Sequence, residues 1–307
     1  MVVTRSQILK DFSFKNLPED LLKLNFLNKI SKTKVSISKK TGLVFHNSYK
    51  NSKLVLEEYS NKVFNKRMDI KKNLYNDNVP GMQARHFYVL TFINSIINFK
   101  NNKIIDFACG QGGLLFIARK YFKIKNLFGV EFSKKNILFI KNKFKKNRLN
   151  VPKLYNSNIE KFYFKKKADI GILTWTLCNC SEPIEIVKSI SNNIVKNGYV
   201  VVAQSSRILV PFKRPIFNYF NSKLNTGHLH PWHFSYNSLN NIFKYCGFTL
   251  VASNNFINEN DMVLIFKNSK NYNQKFLVDN CNKVINFFKR WNYESKKYLT
   301  MKVKNIY

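Results

Sequence analysis

KIIDFACGQGG, residues 103 to 113, is the stretch that decides the fold. Apolar and β-favouring residues lead into Asp106, a loop with Gly110, Gly112 and Gly113 follows, and LLFIARKYF then has the apolar spacing of a helix. Glycines at such a turn allow dihedrals that a Cβ would forbid, and they let the backbone pass close beneath a ligand. The stretch therefore predicts a strand, a tight turn and a helix, with a ligand lying over the turn.

A second apolar run, NLFGVEF at residues 126 to 132, predicts a buried strand that ends in Glu131. Glu131 follows Asp106 by 25 residues (131 − 106), close to the ~20-residue offset at which Rossmann-like folds bind a ribose diol. The loop is not a full G-x-G-x-x-G, because Ala108 and Cys109 precede Gly110. It is not a P-loop either, because no Gly-Lys-Ser/Thr follows.

The form DFACGQGG resembles the first motif of class I S-adenosylmethionine-dependent methyltransferases, commonly D-x-G-C-G-x-G, and the resemblance extends over residues 100 to 267. Ala108 stands where those enzymes usually have their first glycine, so its methyl group slightly narrows the approach of the methionine part. The resemblance implies S-adenosyl-L-methionine as the cofactor. The residues expected to hold it are Asp106, Ala108, Gly110, Gly112, Glu131, Asn158 and Thr174. A dinucleotide-binding domain, or a fold kept only as a scaffold, stays open as an alternative.

Two of these residues lie beyond later strands. The resemblance places an acid against the adenine amino group where Asn158 stands, and Asn can accept that hydrogen bond through its carbonyl oxygen. A surface-turn Asn is the competing interpretation. Thr174 begins the segment past the fourth strand that should face the transferred methyl, because open α/β sheets bind ligands there. No Asn-Pro-Pro-Tyr or Asp-Pro-Pro-Tyr is present, which disfavours methylation of the exocyclic amine of a base.

The segment VSISKKTGLVF, which begins at residue 35, is similar to the C-x-x-C-G-L-V-F segment of methyltransferases that modify sugars and related small molecules. In that group the cysteines belong to a small zinc-binding domain. Here Ser38 and Thr41 occupy the cysteine positions, and hydroxyls are not the thiolate or imidazole ligands that zinc prefers. We expect a hairpin and helix without metal. Before it, LPEDLLKLNFLNKI predicts a packing helix.

An insertion after the fifth strand, residues 205–234, contains His228, His230 and His233, and insertions there commonly cover the substrate in this fold. Three interpretations stay open: a metal site, structural loop residues, and general base catalysis by His230 or His228. The tract resembles the H-x-H-x-x-x-F-S segment of the sugar-modifying group, where a histidine aligned with His230 is credited with proton removal. Those enzymes often have an acid just before it, whereas this chain has Leu229.

The predicted fold is α/β, with a Rossmann-like seven-stranded sheet, helices on both faces, an antiparallel last strand, and helical extensions at both ends. The helix SEPIEIVKSISNNIVKNG is predicted to run to Gly198. The expected domains are an N-terminal extension with a degenerate zinc-ribbon-like segment and lid helices (1–99), the cofactor-binding domain (100–268) and a basic helical appendage (269–307).

Charge suggests a different partner. The chain has 52 Lys and Arg residues against 17 Asp and Glu residues, a formal charge of +35, which favours binding to any polyanion. The lysines are spread along the whole chain and accompany many Asn, Ile, Phe and Tyr residues, as an AT-rich coding sequence would produce. Arginine-rich clusters with interleaved aromatic residues are missing. A nucleic-acid partner, as an RNA-binding methyltransferase or an RNA-binding module, is therefore the less favoured alternative.

The remaining composition is that of a cytoplasmic protein. There is no run of about 18 apolar residues and no secretory signal at the N-terminus. The five cysteines lack a paired C-x-x-C spacing, so we expect reduced thiols and no metal. The expected activity is methyl transfer to a small-molecule acceptor, with a nucleotide-linked or glycan sugar favoured. The sequence does not determine the acceptor, the methylated atom or the oligomeric state.

Overall fold

The computed structural model describes residues 3–13, 21–25, 34–46, 80–204, 216, 231–255 and 261–304. The strands are β1 (Leu21–Lys23), β2 (Val35–Ser38), β3 (Val44–His46), β4 (Ile104–Phe107), β5 (Leu127–Glu131), β6 (Lys153–Asn156), β7 (Ala168–Thr174), β8 (Ile194–Gln204), β9 (Trp232–His233), β10 (Thr249–Ser253) and β11 (Met262–Lys267). The helices are α1 (Arg5–Asp11), α2 (Pro80–Asn94), α3 (Gly113–Lys120), α4 (Lys134–Lys146), α5 (Pro183–Asn193), α6 (Tyr236–Tyr245) and α7 (Cys281–Lys304).

A seven-stranded sheet forms the centre of the molecule, in the order β10-β11-β8-β7-β4-β5-β6. The pairs from β6 to β8 are parallel, whereas β11 is antiparallel to both β8 and β10. This confirms the predicted Rossmann-like sheet with a reversed last strand. The central strands are continuous apolar runs because both of their faces are covered, and Ile104, Ile105 and Phe107 of β4 are fully buried.

Helices cover both faces of this sheet. One core contains Ile172 of β7 and Val201 of β8, packed with apolar residues of α2, α3 and α4. The other contains Leu173 and Val202, packed with apolar residues of α5 and α6. Successive residues of a strand thus enter opposite cores, as the two-residue period of a strand requires. The described helices include none with the length and apolar character needed to span a bilayer.

The helix predicted to run to Gly198 ends earlier. Helix α5 stops at Asn193, and β8 begins at the next residue. The side chain of Asn193 is buried and bonds outside its own helix, because its amide donates to Phe162 O at 3.0 Å and its oxygen accepts from Phe164 N. This bonding, together with the β-branched pair Ile194 and Val195 that follows, favours extended backbone over another helical turn.

A second sheet, of four strands in the order β1-β2-β3-β9, lies beside the central one. The predicted hairpin is confirmed as β2 and β3, which pair antiparallel. The predicted packing helix before it is wrong at Leu21–Lys23, because this stretch pairs with Ser36–Ser38 as β1. On the outer face of this sheet, Val35, Ile37 and Val44 pack against α7. Within the region 269–307, expected to be helical, α7 is a helix and covers the N-terminal hairpin, whereas residues 269–280 have no regular secondary structure.

Candidate functional site

The loop between β4 and α3 has the backbone of a ligand cradle. Ala108, Gly110 and Gly112 have φ angles of 55°, 54° and 72°, in the left-handed region that favours glycine. A Cβ built on Gly110 would meet no atom within 4 Å, whereas one on Gly112 would lie 2.8 Å from Ile140 Cγ1. Gly112 is therefore required by packing beneath the loop, and Gly110 faces open space.

Glu131, the last residue of β5, points at this loop. Its Oε2 accepts a hydrogen bond from Gly110 N–H at 3.0 Å, and its Oε1 accepts from Ser133 N–H at 2.9 Å and Asn136 Nδ2 at 3.1 Å. Burial raises the pKa of Glu131, while hydrogen bonds from Ser133, Asn136 and Gly110 oppose that rise. The carboxylate is thus fixed in direction, and Oε2 keeps a lone pair for a hydroxyl donor.

Asp106 lies on β4 immediately before the loop and is 2% exposed. Its Oδ1 is buried and contacts no hydrogen-bond donor in the described part of the chain. Burial, and secondly the charge of Glu131, raises the pKa of Asp106 well above its usual range. A buried acceptor without a donor is costly in a folded protein, so this oxygen is suited to a ligand that brings a donor.

The ends of the neighbouring strands complete the edge of the site. Thr174 ends β7, and register pairs Leu173 with Phe107, so Thr174 and Ala108 lie side by side. Trp175 follows with a φ of 48°, and its N–H donates to Ala203 O at 2.7 Å. Its indole Nε1 is buried without a hydrogen-bond partner in the described structure. The adjacent strands β4 and β7 are therefore each followed directly by a left-handed residue that is not glycine, Ala108 and Trp175.

Helix α2 closes one side of this edge. The guanidinium of Arg85 lies 4.1 Å from the ring centroid of Trp175, and its Nε donates to Asp261 Oδ1 at 2.7 Å. The ring of His86 lies 5.9 Å from that of Trp175. Burial, then the positive charges of Arg85 and Lys143, lowers the pKa of His86 to about 4. His86 is therefore neutral at physiological pH.

Asn158 lies near the end of β5 but has a structural contact. Ser157 N–H donates to Glu131 O at 3.1 Å, which holds the residue before Asn158 against that strand. The Oδ1 of Asn158 caps the short helix Ile159–Lys161 by accepting from Glu160 N–H at 3.3 Å. The oxygen can accept a second hydrogen bond, so a role at adenine stays a prediction beside the capping role that the structure shows.

The two candidate histidines, His228 and His230, lie outside the described residues. The chain directly after them is anchored at the site: Trp232 Nε1 donates to Cys180 O at 2.7 Å, in the segment that follows β7. His233 is fully buried, with its ring 4.9 Å from that of His46. The structure thus places the third histidine of the tract inside the four-stranded sheet.

The hydroxyls at the expected cysteine positions form hydrogen bonds. Ser38 Oγ accepts from Thr41 N–H at 3.3 Å, and Thr41 Oγ1 donates to the buried carboxylate of Asp11. Gly42, at φ 71°, closes the turn against Asp279. Hydrogen bonds thus fix the turn between β2 and β3. Across the described residues, no group of three or more His, Cys, Asp or Glu is arranged to hold a metal ion.

The thiols near the site are poor nucleophiles. All five cysteines are reduced. Burial raises the pKa of Cys109, whose neighbours Asp106 and Glu131 raise it further, and burial also raises the pKa of Cys180. A thiol with a raised pKa is protonated at neutral pH and reacts slowly.

The sequence patterns give little or no indication of two residues here and of the contacts of a third. Asn136 has no signal beyond its place after the cap of α4. Trp175 lies in the segment expected to face the methyl group, but its contacts with Arg85 and His86 could not be predicted, because those residues come from a helix far away in sequence. Gln204 has a weak sequence signal, since it is a polar residue that ends the apolar run Val200–Ala203.

Comparison with known proteins agrees with this geometry. A family model described as a methyltransferase domain matches residues 98–301. The PH0226 protein from Pyrococcus horikoshii OT3 is similar in structure, with a TM-score of 0.53 and 16% sequence identity over 69% of this chain and 98% of that chain. No curated protein matches the sequence.

Magnesium protoporphyrin IX methyltransferase from Synechocystis PCC 6803 is also similar in fold. Its structure with bound SAM has a TM-score of 0.51 and 13% identity, over 72% of this chain and 99% of that chain. Its structure with bound SAH has a TM-score of 0.52 and 14% identity, over 70% of this chain and 99% of that chain. At such identities the likeness is one of fold.

Proposed function

The chain belongs to the family of methyltransferase domains, and we propose that it transfers the methyl group of S-adenosylmethionine to a small-molecule acceptor. The observation that carries the proposal is the contact of Glu131 with Gly110 beside the unsatisfied oxygen of Asp106. The residues fit the cofactor: Asp106 offers an acceptor to its amino group, Glu131 offers one to its ribose, and Gly110 leaves space above the loop.

The protein has a limited chemical task. Bound S-adenosylmethionine supplies a methyl group on a positively charged sulfur, which is already a good leaving group. The residues of the chain then need to hold the acceptor in line with that methyl group and to remove its proton. The neutral ring of His86 lies beside that of Trp175 directly after β7, where we expect the two rings to flank the reacting atoms.

A nucleotide-linked or glycan sugar is the acceptor that we favour. The hairpin β2–β3 and the tract 228–235, which includes Trp232, are the features that resemble sugar-modifying methyltransferases, and β3 pairs with β9 at Phe45 and Trp232. The end of the insertion is therefore held beside the segment after β7, where an acceptor would bind. We assign His230, with His228 as the second candidate, to removal of the acceptor proton; structural and metal-binding roles are the alternatives.

Binding of S-adenosylhomocysteine tests the proposed function directly. Calorimetry should show binding by the unmodified protein, and Glu131→Ala should weaken it at least tenfold because a ribose contact is lost. Glu185→Ala, which removes a partly exposed acid of α5, is the matched control and should bind normally. Absence of binding, or equal affinity of the Glu131 variant, would contradict the assignment.

The comparisons disfavour a non-catalytic RNA-binding module, since the matched family model is a methyltransferase domain, and they add nothing in favour of an RNA-binding methyltransferase. If the protein retained RNA at about 0.15 M salt much more strongly than it retained a scrambled polyanion, this result would support the RNA-binding alternative. Binding that disappears at this salt concentration would reflect net charge alone.

A further inference from the structure

Gln204, the last residue of β8, has a buried side-chain amide without a hydrogen-bond partner in the described structure. The residue is 1% exposed, and both Nε2 and Oε1 are buried without a hydrogen-bond partner within the described structure. A primary amide has two donors and an acceptor, so burying it without partners is unfavourable. In native proteins such groups need an explanation, and a ligand that supplies the missing hydrogen bonds is one.

Several other buried amides are hydrogen-bonded at both nitrogen and oxygen, whereas Asn136 and Asn240 lack a partner at the oxygen alone within the described structure. Asn268 donates to carbonyls of Ser191, Ile194 and Val195 at 3.2 to 3.3 Å. Asn254 donates to Tyr88 and accepts from Val263 N–H. Among the amide side chains that the structure describes, Gln204 is the one whose nitrogen and oxygen are both buried and unbonded. Gln204 therefore differs from the other buried amides in that neither end of its carboxamide is bonded.

The position of Gln204 is that of a ligand-binding residue. Ala203, just before it, accepts the N–H of Trp175 at 2.7 Å, so Gln204 lies beside the segment that follows β7. This is the carboxyl edge of the parallel strands, where open α/β sheets bind their ligands. Its strand partner, Met262, and Val202, two residues earlier, both belong to the core beneath α5 and α6. Gln204 therefore faces that side of the sheet.

Asp106 faces the other side. Its register partner Ile172 and, one strand further, Val201 belong to the core beneath α2, α3 and α4. The two unsatisfied groups thus approach the same edge from opposite faces of the sheet. Trp232, which is anchored to Cys180 at this edge, belongs to the same core as Met262. The side of Gln204 is therefore the side on which the insertion ends.

We propose that Gln204 binds the methyl acceptor, through a hydroxyl or amide group that both donates and accepts a hydrogen bond. The inference rests on the proposed function and assigns the acceptor to the face of Gln204. Asp106 and Glu131 hold the cofactor from the opposite face. A group that presents a donor and an acceptor side by side satisfies both atoms of the carboxamide, and sugar hydroxyls have this character. An acceptor that lacks such a group should bind poorly, because it would leave the buried amide unpaired.

The first test measures stability, which needs no acceptor. Gln204→Leu replaces the amide with an apolar group of similar size, so the midpoint of thermal unfolding should rise by about 2 °C. S-adenosylhomocysteine should bind within twofold of its normal affinity. Asn268→Leu is the matched control and should lower the midpoint, since it removes three hydrogen bonds of a buried amide. A lower midpoint for Gln204→Leu would overturn the proposal, because the amide would then have a structural role.

The second test measures methyl transfer from radiolabelled S-adenosylmethionine to a small-molecule extract of the cells that make the protein. Gln204→Leu should lose at least tenfold of the incorporation while its affinity for S-adenosylhomocysteine is retained. Equal incorporation by the variant would overturn the assignment of Gln204. Failure of the unmodified protein to bind S-adenosylhomocysteine would instead contradict the proposed function, so the two failures are distinguishable.

Discussion

Ala108 and Trp175 hold left-handed backbone at the ends of adjacent strands, with φ angles of 55° and 48°. Each such residue costs about 1–2 kcal/mol relative to ordinary backbone, because its Cβ approaches a carbonyl oxygen. Strained residues persist where the surrounding structure fixes them, and they cluster at functional sites. The hydrogen bond from Trp175 N–H to Ala203 and the stacking of Arg85 provide that support at β7.

Ala108→Gly should relieve the strain at β4. We expect the free energy of unfolding to rise by about 0.5–1 kcal/mol, and the affinity for S-adenosylhomocysteine to stay equal or increase, because the methyl group narrows the cradle. Urea denaturation and calorimetry measure the two effects. Ala84→Gly, in exposed helical backbone of α2, is the control and should cost about 1 kcal/mol. Destabilisation by both substitutions would show that Ala108 is not strained.

His86 should make the protein sensitive to acid. Its folded pKa, about 4, lies below its ordinary value of 6.5, so the folded state resists its protonation. The contribution to stability is full above pH 6.5 and is lost as pH falls towards 4. Between pH 7.5 and 5 the loss is about 2 kcal/mol. Urea denaturation of His86→Gln should show a shallower fall over this range, and parallel pH profiles would contradict the assignment.

At the level of residues, the sequence predicts a contact only when a loop motif and the end of the next strand along the chain supply the two partners. Glu131 and Gly110 are such a pair, since the motif and the next strand end fix their proximity. The stacking of Arg85 on Trp175 depends on how α2 packs, and the unbonded state of Gln204 depends on everything that surrounds it. Neither leaves a periodic trace in the sequence, which is why both emerged from the structure.

Among the elements, the four-stranded sheet is sandwiched between two layers. Phe45 and Trp232 face the main core, where their rings lie 5.8 Å apart. Val35 and Ile37 face α7, in a core that also contains Phe288 and Trp291. A small sheet needs both faces covered to be stable, and here the C-terminal helix α7 covers the outer face.

Trp291→Ala tests this dependence. The side chain is 1% exposed, so its loss should lower the free energy of unfolding by about 3–5 kcal/mol, as expected for a large core aromatic. Tyr293→Ala is the matched control on the same helix: Tyr293 is 67% exposed, and its loss should change stability by less than about 0.5 kcal/mol. Denaturant unfolding measures both. Equal small effects would mean that α7 contributes little to the fold.

The two sheets differ in how well their strands can be predicted from the sequence. The central strands of the seven-stranded sheet are continuous apolar runs between turn residues, so their positions follow from the sequence. Their order, with the last strand reversed, is what the resemblance to methyltransferases implies. The spacing of leucines in LPEDLLKLNFLNKI predicts a helix, yet Leu21–Lys23 forms β1 because it pairs with the edge of β2. Likewise α5 ends at Asn193 through hydrogen bonds to residues about thirty positions earlier. Tertiary pairing overrides local propensity in both cases.

For the whole molecule, the acidic residues are too few to pair with the basic ones. The formal charge of +35 leaves most lysines without an acid to pair with, and the ion pairs Arg85–Asp261 and Lys188–Glu185 are partly exposed. Exposed pairs contribute little, whereas mutual repulsion of the lysines acts over the Debye length, about 30 Å at 0.01 M salt and about 10 Å at 0.1 M. Repulsion among the lysines therefore lowers the stability of the folded state.

Added salt should stabilise this protein. We expect the midpoint of thermal unfolding to rise by several degrees between about 0.01 and 0.3 M sodium chloride and then to level off, because screening is complete once the Debye length falls below the spacing of the charges. Scanning calorimetry measures the change. The variant Lys165→Glu/Lys166→Glu, at two exposed positions before β7, should begin with a higher midpoint and gain less from salt. A midpoint that falls with salt would mean that attractive ion pairs outweigh the repulsion of the lysines.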